Sequence, residues 1–224
     1  MKFKKAAIIG CGGIATNLAP ALSRMMDIVL VDGDRYEPKN VERQFPAMHT
    51  TANKAIALQS MIVSNTLKSV LSIPEYLKNG FIANKEAWKG VDLVIGCVDN
   101  NASRKLIRDL CEEQDIVGIL AGNEHEDGEA HAYIPGIYDP FEHHEFTEGE
   151  AAPWACNSDK NIELNPQTPL ANIMAAAAVF HILLSLRKVK KDENAVVYSR
   201  LDGLSSSFSR AKTYLSGKGS AKMA

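Results

Sequence analysis

Side chains suited to binding a polyphosphate lie close together in the first quarter of the chain. Asn40, Arg43 and Gln44 stand in the segment 31–44, and Lys54 opens the next predicted helix. Arg43 offers paired donors that match phosphate oxygens, whereas Lys54 offers a point charge. The two amides suit the orientation of phosphate oxygens or of metal-bound water. A solvated charged loop would have the same composition, so these residues alone leave both interpretations open.

A second candidate group follows the apolar segment 92–97, where Asp99 and Asn100 stand side by side. Ligands of open α/β sheets bind beyond the carboxyl ends of the strands, so Asp99 is well placed to hold Mg²⁺ against phosphates. Asp99 or Asn100 could instead cap the helix predicted from Ala102. Capping and metal binding could also coexist at adjacent residues.

A glycine-rich turn precedes both groups, because residues 8–15 read IIGCGGIA. Gly10 permits a tight turn, Gly12 lets a phosphate approach the backbone, and Ala15 takes the place of a third glycine. Asp32 ends the second predicted strand, where a carboxylate can accept hydrogen bonds from ribose hydroxyls. The pattern predicts a nucleotide-binding turn but does not distinguish ATP from NAD.

The elements that must position these residues alternate between strand and helix. Apolar segments predict strands at 6–9, 28–31, 69–73, 92–97 and 116–121, and helical periodicity predicts helices at 14–26, 54–68 and 102–113. This alternation predicts a Rossmann-like, mainly parallel sheet with helices on both faces. The second half predicts a strand at 129–134, a helix at 168–186 and strands at 195–201 and 206–214, which form a C-terminal antiparallel extension.

Bulk composition is that of a globular cytoplasmic protein. The 224 residues carry a net charge of -2, which gives no basic field for nucleic acid or an anionic membrane. No uninterrupted apolar run reaches the roughly 20 residues that span a bilayer. Cys11, Cys97 and Cys111 are expected to be small buried residues, without a disulfide or zinc pattern. The histidines of 124–150, which are His125, His131, His143 and His144, favour a solvated loop over a metal site.

Four motifs taken together resemble the ThiF/MoeB/HesA family of the ubiquitin-activating-enzyme superfamily. They are GxGGxA from Gly10, VDxDx5NxxRQ from Val31, the lysine at 54, and CxDNxxxR from Cys97. The resemblance implies an ATP- and Mg²⁺-dependent adenylyltransferase that forms an acyl-adenylate. Its implied substrate is the C-terminal carboxylate of a small ubiquitin-like or sulfur-carrier protein ending in Gly-Gly, or of a peptide.

The resemblance also implies a homodimer and a single domain over 1–224. That domain would comprise a nucleotide-binding core at 1–134, a crossover loop at 135–169, and a C-terminal helix and strand pair at 170–215. The implied nucleotide-binding set is Gly10, Gly12, Gly13, Asp32, Asp34, Asn40, Arg43, Gln44, Lys54, Asp99 and Asn100.

The catalytic candidates are Arg43, Lys54, Asp99 and Cys156. By the resemblance, Lys54 stabilises the transition state and Asp99 is the ligand of Mg²⁺. Cys156 resembles a family position that carries sulfur or a thioester in some members, and a free cysteine in a flexible loop is the alternative. A thiolate there could attack the acyl-adenylate.

Two departures from the family pattern bear on these expectations. The family's N-terminal helix, with an arginine that reaches the partner subunit's ATP, is not seen before the first strand, and the two CxxC zinc pairs are absent. Two other interpretations remain: an NAD(P)-binding oxidoreductase and a nucleotide-binding scaffold without chemistry. The oxidoreductase would leave Arg43 and Lys54 unexplained.

Overall fold

A single sheet of eight strands forms the centre of the part of the chain that the structure describes. The structure is a computed structural model, and it describes residues 3–44, 51–78, 85–124, 126–142, 168–188, 194–202 and 205–212. The strand order is β3-β2-β1-β4-β5-β6-β7-β8. The strands are β1 (Lys5–Ile9), β2 (Asp27–Val31), β3 (Val70–Ile73), β4 (Leu93–Gly96), β5 (Val117–Glu124), β6 (Asp127–Tyr133), β7 (Asn194–Leu201) and β8 (Ser206–Lys212).

The first five strands run parallel, with β1 between β2 and β4. From β5 onward each neighbour is antiparallel. This arrangement confirms the predicted Rossmann-like sheet with its antiparallel extension. The central strands are apolar throughout because both of their faces are covered: residues 6–9 and 28–31 are all buried.

Helices cover both faces of this sheet. They are α1 (Gly13–Leu22), α2 (Lys54–Val63), α3 (Lys85–Trp88), α4 (Asn101–Glu113) and α5 (Pro169–Lys188), with a 3-10 turn at Pro38–Asn40. Along β1, Ala6 and Ile8 belong to a core with α1, α2 and α5, whereas Ala7 and Ile9 belong to a second core with α3 and α4. The period of two along the strand therefore creates two separate cores.

Two helices end earlier than the apolar periodicity predicts. Helix α1 ends at Leu22, but the pattern continues because Met26 is buried in the following turn. Helix α2 ends at Val63, and Leu67 beyond it is fully exposed. In both places, apolar spacing alone did not mark where the backbone leaves the helix. The short helix α3 was not predicted.

Helix α5 lies directly on the antiparallel half of the sheet. It packs against β5, β6, β7 and α1. A Cβ atom placed on Gly128 of β6 would lie 1.9 Å from the backbone nitrogen of Ala175, so this strand needs glycine for the helix to approach. This close approach brings the C-terminal helix down to the glycine-rich turn.

By length and composition alone, α5 could cross a membrane, which the sequence-based expectation did not foresee. Its most apolar 18-residue window has a mean hydropathy of 1.8, and half of that window is buried. The buried residues include Ala175, Val179, Ile182 and Leu186, which belong to the core on the sheet. These contacts are those of a core helix.

Candidate functional site

The glycine-rich turn joins β1 to α1 at the carboxyl edge of the parallel strands. Gly10 has a φ of +89°, and its backbone N–H donates to the carbonyl of Val31 at 2.9 Å. A Cβ atom on Gly10 would lie 2.5 Å from the carbonyl oxygen of Cys97, which follows β4. Gly10 is therefore required for its backbone angle and for its space. The turn contacts the ends of both neighbouring strands.

Asp32 ties the end of β2 to this turn. Its carboxylate accepts hydrogen bonds from the backbone N–H of Cys11 at 2.6 Å and of Asp34 at 2.8 Å. Burial raises the pKa of Asp32, although both backbone donors act in the opposite direction. The thiol of Cys11 is buried, and this burial together with the nearby Asp32 raises its pKa. Cys11 is thus a structural residue and not a nucleophile.

Lys54 and Asp34 form an ion pair beside Asp32. The Lys54 Nζ lies 3.1 Å from Asp34 Oδ2, and the Tyr76 hydroxyl donates to Asp34 Oδ1 at 2.6 Å. Burial alone would raise the pKa of Asp34, but the Tyr76 hydrogen bond and Lys54 bring it below its ordinary value. Lys54 therefore has an ionised partner that holds its side chain near the carboxyl edge of the sheet.

Asn53 sets the start of α2 and so the position of Lys54. Its Oδ1 accepts from the backbone N–H groups of Ala55 and Ile56 in the first turn of the helix. Its Nδ2 donates to the carbonyls of Asp32 and Asp34. One buried amide thus caps the helix and links it to the end of β2.

The loop after β2 is built on Asn40. This asparagine is buried, and its Oδ1 accepts from the backbone N–H of Glu37 at 2.8 Å. Its carbonyl accepts from the N–H groups of Arg43 and Gln44. The structure thus gives Asn40 a role in shaping the loop. Its predicted contact with phosphate stays a prediction.

The same loop brings Gln44 over the glycine-rich turn. The Nε2 of Gln44 lies 3.7 Å from the position that a Cβ atom on Gly12 would take. The Oε1 of Gln44 is buried and has no hydrogen-bond partner within the described residues. Buried polar groups normally have a partner, so this oxygen marks Gln44 as a candidate ligand-binding residue.

Beyond β4, Asn100 takes the capping role and leaves Asp99 exposed. The Asn100 Oδ1 accepts from the backbone N–H of Ser103 at 2.8 Å, at the start of α4. Asp99 is an exposed residue next to this cap. Arg104 is 1% exposed and donates through Nη2 to the carbonyl of Val98 at 3.3 Å. The turn that carries Asp99 is therefore held on both sides: Arg104 contacts Val98 before it, and Asn100 caps α4 after it.

The structure brings most of the predicted nucleotide-binding residues to one edge of the sheet. Hydrogen bonds or close contacts join the glycine-rich turn to Asp32, Gln44 and the residues that precede Asp99. Within the described residues, Lys54 forms its ion pair with Asp34. Cys156 lies outside the described residues, so its role stays a prediction, as does the division of the domain at 134 and 169.

The predictions for the remaining cysteines and histidines have mixed outcomes. Cys11 and Cys111 are buried, as expected, and Cys97 is half-buried with its pKa raised to about 12 by burial. His131 does not lie in a solvated loop: it is half-buried on β6, and its ring packs 4.7 Å from that of Tyr198. His125, His143 and His144 lie outside the described residues, and the described ones contain no cluster suited to a metal.

Four residues of the site were missed at the level of sequence: Asn53, Tyr76, Asn123 and Asn172. The capping position of Asn53, directly before Lys54, was a local signal that could have revealed it. Tyr76 approaches Asp34 from the end of β3, and Asn123 and Asn172 come from β5 and α5. No local pattern marks these three residues, because their contacts join distant parts of the chain.

The strand order and the glycine-rich turn between β1 and α1 define a Rossmann-like α/β protein. The chain belongs to the ThiF family, whose family model matches residues 1–218. It is 31% identical over 125 residues to ubiquitin-like modifier-activating enzyme 5 of Arabidopsis thaliana, which covers 48% of this chain and 29% of that protein. The Gallus gallus protein of the same name is 29% identical over 133 residues, covering 52% and 33%. The chain therefore matches about a third of the length of these relatives.

Solved structures show the same fold over most of the chain. The crystal structure of E. coli MccB with ATP superposes with a TM-score of 0.68 at 20% identity, covering 94% of this chain and 64% of that one. PaaA superposes with a TM-score of 0.68 at 18% identity, covering 94% and 64%. The complex of the microcin C7 biosynthetic enzyme MccB with N-formylated MccA superposes with a TM-score of 0.66 at 19% identity, covering 94% and 65%.

Proposed function

We propose that this chain is an ATP- and Mg²⁺-dependent adenylyltransferase that activates a carboxylate as an acyl-adenylate. Its proposed substrate is the C-terminus of a small ubiquitin-like or sulfur-carrier protein ending in Gly-Gly, or of a peptide. Membership of the ThiF family supports the reaction class. The named relatives act on ubiquitin-like modifiers, and the MccB structures with ATP and with N-formylated MccA support a nucleotide and a peptide substrate.

One observation in this chain carries the proposal: the loop of Arg43 and Gln44 lies over the glycine-rich turn. Gly12 is the N-cap of α1, where backbone N–H groups and the helix dipole favour an anion. The amide of Gln44 shares that space and leaves one buried polar end without a partner among the described residues. An anion at α1 would meet amide donors of the turn and the side chain of Gln44 together.

The donor set also suits Mg²⁺ with a triphosphate. Asp99 is exposed beyond β4 and its helix is capped by Asn100, so the Asp99 carboxylate is not consumed by capping. A bound Mg²⁺ would neutralise phosphate charge. Asp99 would hold the metal. Lys54, a few ångströms from Asp34, would contribute a positive charge near the end of β2.

The reaction needs charge stabilisation more than it needs a base. The carboxylate of the substrate attacks the α-phosphorus of ATP, a P–O bond forms, and the bond to the leaving pyrophosphate breaks. The nucleophile is already ionised at neutral pH, so no proton has to be removed. Arg43 and Lys54 would lower the barrier by stabilising the negative charge that two approaching anions create.

Exchange of radioactive pyrophosphate into ATP, in the presence of candidate Gly-Gly carriers, tests this function. We expect exchange by the wild type, loss of at least about 100-fold in Asp99→Ala and Arg43→Ala, and retention in Cys156→Ser. Glu113→Ala is the matched control for Asp99, since Glu113 is an exposed acid at the opposite end of α4. Arg24→Ala plays the same part for Arg43, because Arg24 is exposed beyond the far end of α1.

The outcomes separate the proposal from its two rivals. Tight binding of NADH without binding of ATP would favour an oxidoreductase. Binding of ATP without exchange, whatever carrier is offered, would favour a scaffold. Exchange that survives Asp99→Ala would remove Asp99 from the metal site. The homodimer implied by the family is a further proposal, and sedimentation equilibrium of the full chain measures it.

A further inference from the structure

Asn172 of α5 joins three distant parts of the chain around the glycine-rich turn. It is 2% exposed, and its Oδ1 accepts from the Nδ2 of Asn123 on β5 at 2.8 Å. Its own Nδ2 donates to the backbone carbonyl of Arg43 at 3.1 Å. Both ends of one buried amide are therefore engaged, one with the sheet and one with the loop of Arg43.

The same amide also touches the first residue of α1. A Cβ atom on Gly13 would lie 2.2 Å from the Nδ2 and 2.4 Å from the Oδ1 of Asn172. Gly13 is thus a glycine because the side chain of Asn172 occupies the space beside it. The amide fills the gap between the start of α1 and the peptide of Arg43, and it sets their separation.

A buried amide is costly unless its polar atoms are hydrogen-bonded. Asn172 meets that requirement through Asn123 and Arg43, which lie 49 and 129 residues away in the sequence. An apolar side chain at 172 would leave the carbonyl of Arg43 without this donor inside the protein. A polar link of this kind fixes one arrangement of the loop in preference to nearby alternatives.

We propose that Asn172 and Asn123 are positioning residues for the nucleotide site. Asn123 orients Asn172, and Asn172 holds the peptide of Arg43 against the start of α1. The loop of Arg43 and Gln44 is then ordered before ATP arrives, so that binding does not have to order it. This inference rests on the proposed function, because the effect expected of the two asparagines is on the binding of ATP.

Calorimetric titration of the full chain with ATP in the presence of MgCl₂ tests the inference. We expect Asn172→Ala to weaken ATP binding roughly 10-fold or more, the range for losing one partner of a buried hydrogen bond. Asn123→Ala should weaken it in the same direction. Asn172→Asp keeps an acceptor for Asn123 but loses the donor to Arg43, so its affinity should resemble that of Asn172→Ala.

Ser185→Ala is the matched control on the same helix. The Ser185 Oγ accepts from the backbone N–H of Val196 on β7 at 2.9 Å, far along α5 from Asn172. This variant also removes one hydrogen bond between α5 and the sheet, but it does not touch the loop of Arg43. We expect it to lower stability while leaving the affinity for ATP unchanged within twofold.

A double-mutant cycle separates positioning from general loss of structure. Arg43→Ala keeps the peptide that Asn172 holds but removes the side chain that this peptide positions. If Asn172 acts through that side chain, then Asn172→Ala should weaken ATP binding much less in an Arg43→Ala background than in the wild type. A purely structural role would give the same factor in both backgrounds. If Asn172→Ala does not fold, Asn123→Ala in the same cycle decides the question.

The two proposals fail in different ways. Absence of ATP binding and exchange in the wild type would overturn the proposed function. Wild-type binding of ATP, together with Asn172→Ala and Asn123→Ala affinities equal to that of Ser185→Ala, would overturn the positioning role alone.

Discussion

Replacing Gly10 with alanine should destabilise this protein more than the same change at two other glycines with similar backbone angles. Gly10, Gly90 and Gly136 have φ values of +89°, +78° and +65°. Each alanine meets the left-handed penalty of about 1–2 kcal/mol. The gain from stiffening the unfolded chain is common to all three variants, so it cancels when they are compared.

The three positions differ in the space around the added methyl group. Nothing lies within 4 Å of a Cβ atom on Gly90 or Gly136, whereas on Gly10 that atom would lie 2.5 Å from the carbonyl oxygen of Cys97. This oxygen is backbone and cannot swing aside, so the strands must move. Overpacking of this kind costs about 1–3 kcal/mol. Before the shared gain from the unfolded chain is subtracted, we therefore expect Gly90→Ala and Gly136→Ala to cost about 1–2 kcal/mol and Gly10→Ala about 2–5 kcal/mol.

Urea unfolding of the three variants, with the same slope required for each, measures these differences. In a second urea titration, ATP at 100 times its dissociation constant should stabilise the wild type, Gly90→Ala and Gly136→Ala alike, by about 2.7 kcal/mol. Gly10→Ala should lose most of that increment. Equal unfolding free energies for all three variants, within 0.5 kcal/mol or so, would show that the turn does not rest on Cys97 as described.

Changes at four further residues test other parts of the site. Arg104→Met removes the buried guanidinium that donates to Val98 and should cost about 2–4 kcal/mol in urea unfolding, whereas a cost under about 0.5 kcal/mol would show that this contact does not hold the turn. Asp34→Asn should cost under about 1 kcal/mol at neutral pH, since the pair is partly exposed. Because the pKa of Asp34 is lowered in the folded protein, its contribution should disappear as the pH falls through that pKa, and a difference that grows in acid would contradict the assignment. Tyr76→Phe should shift this titration upward, as followed by NMR of the Asp34 carboxyl. Asn100→Ala should cost about 1 kcal/mol and Asn100→Ser much less, as expected for a helix cap, and equal losses in the two would argue against capping.

The strands of the sheet could be predicted from the sequence because each is a short apolar segment that is clearly separated from the next. Each predicted strand exists, but the order with β1 between β2 and β4 came from the structure, because right-handed crossovers do not fix which strands are neighbours. Helix ends were less predictable. Met26 continues the apolar pattern of α1 after the helix has ended, since a buried turn residue has the same composition as a buried helix residue.

The positions of site residues could be predicted where one local motif decides them and not where the contact is distant. Gly10 and Asp32 lie where the fingerprint places them. The choice between Asp99 and Asn100 as the cap needed the hydrogen bond from Ser103. The role of Asn172 could not be predicted, because the residues next to it in the sequence indicate neither its burial nor its hydrogen bond to Arg43.

The place of α5 in the chain has a consequence for synthesis on the ribosome. Ile119 of β5 and Ala130 of β6 belong to the core that α5 covers, and the ribosome makes both strands before it makes α5. Until residue 188 has emerged, this side of the nascent sheet is apolar and uncovered. Such surfaces promote association between unfinished chains. We expect ribosome-stalled chains that end before α5 to be held by chaperones, and chains that include it to be released.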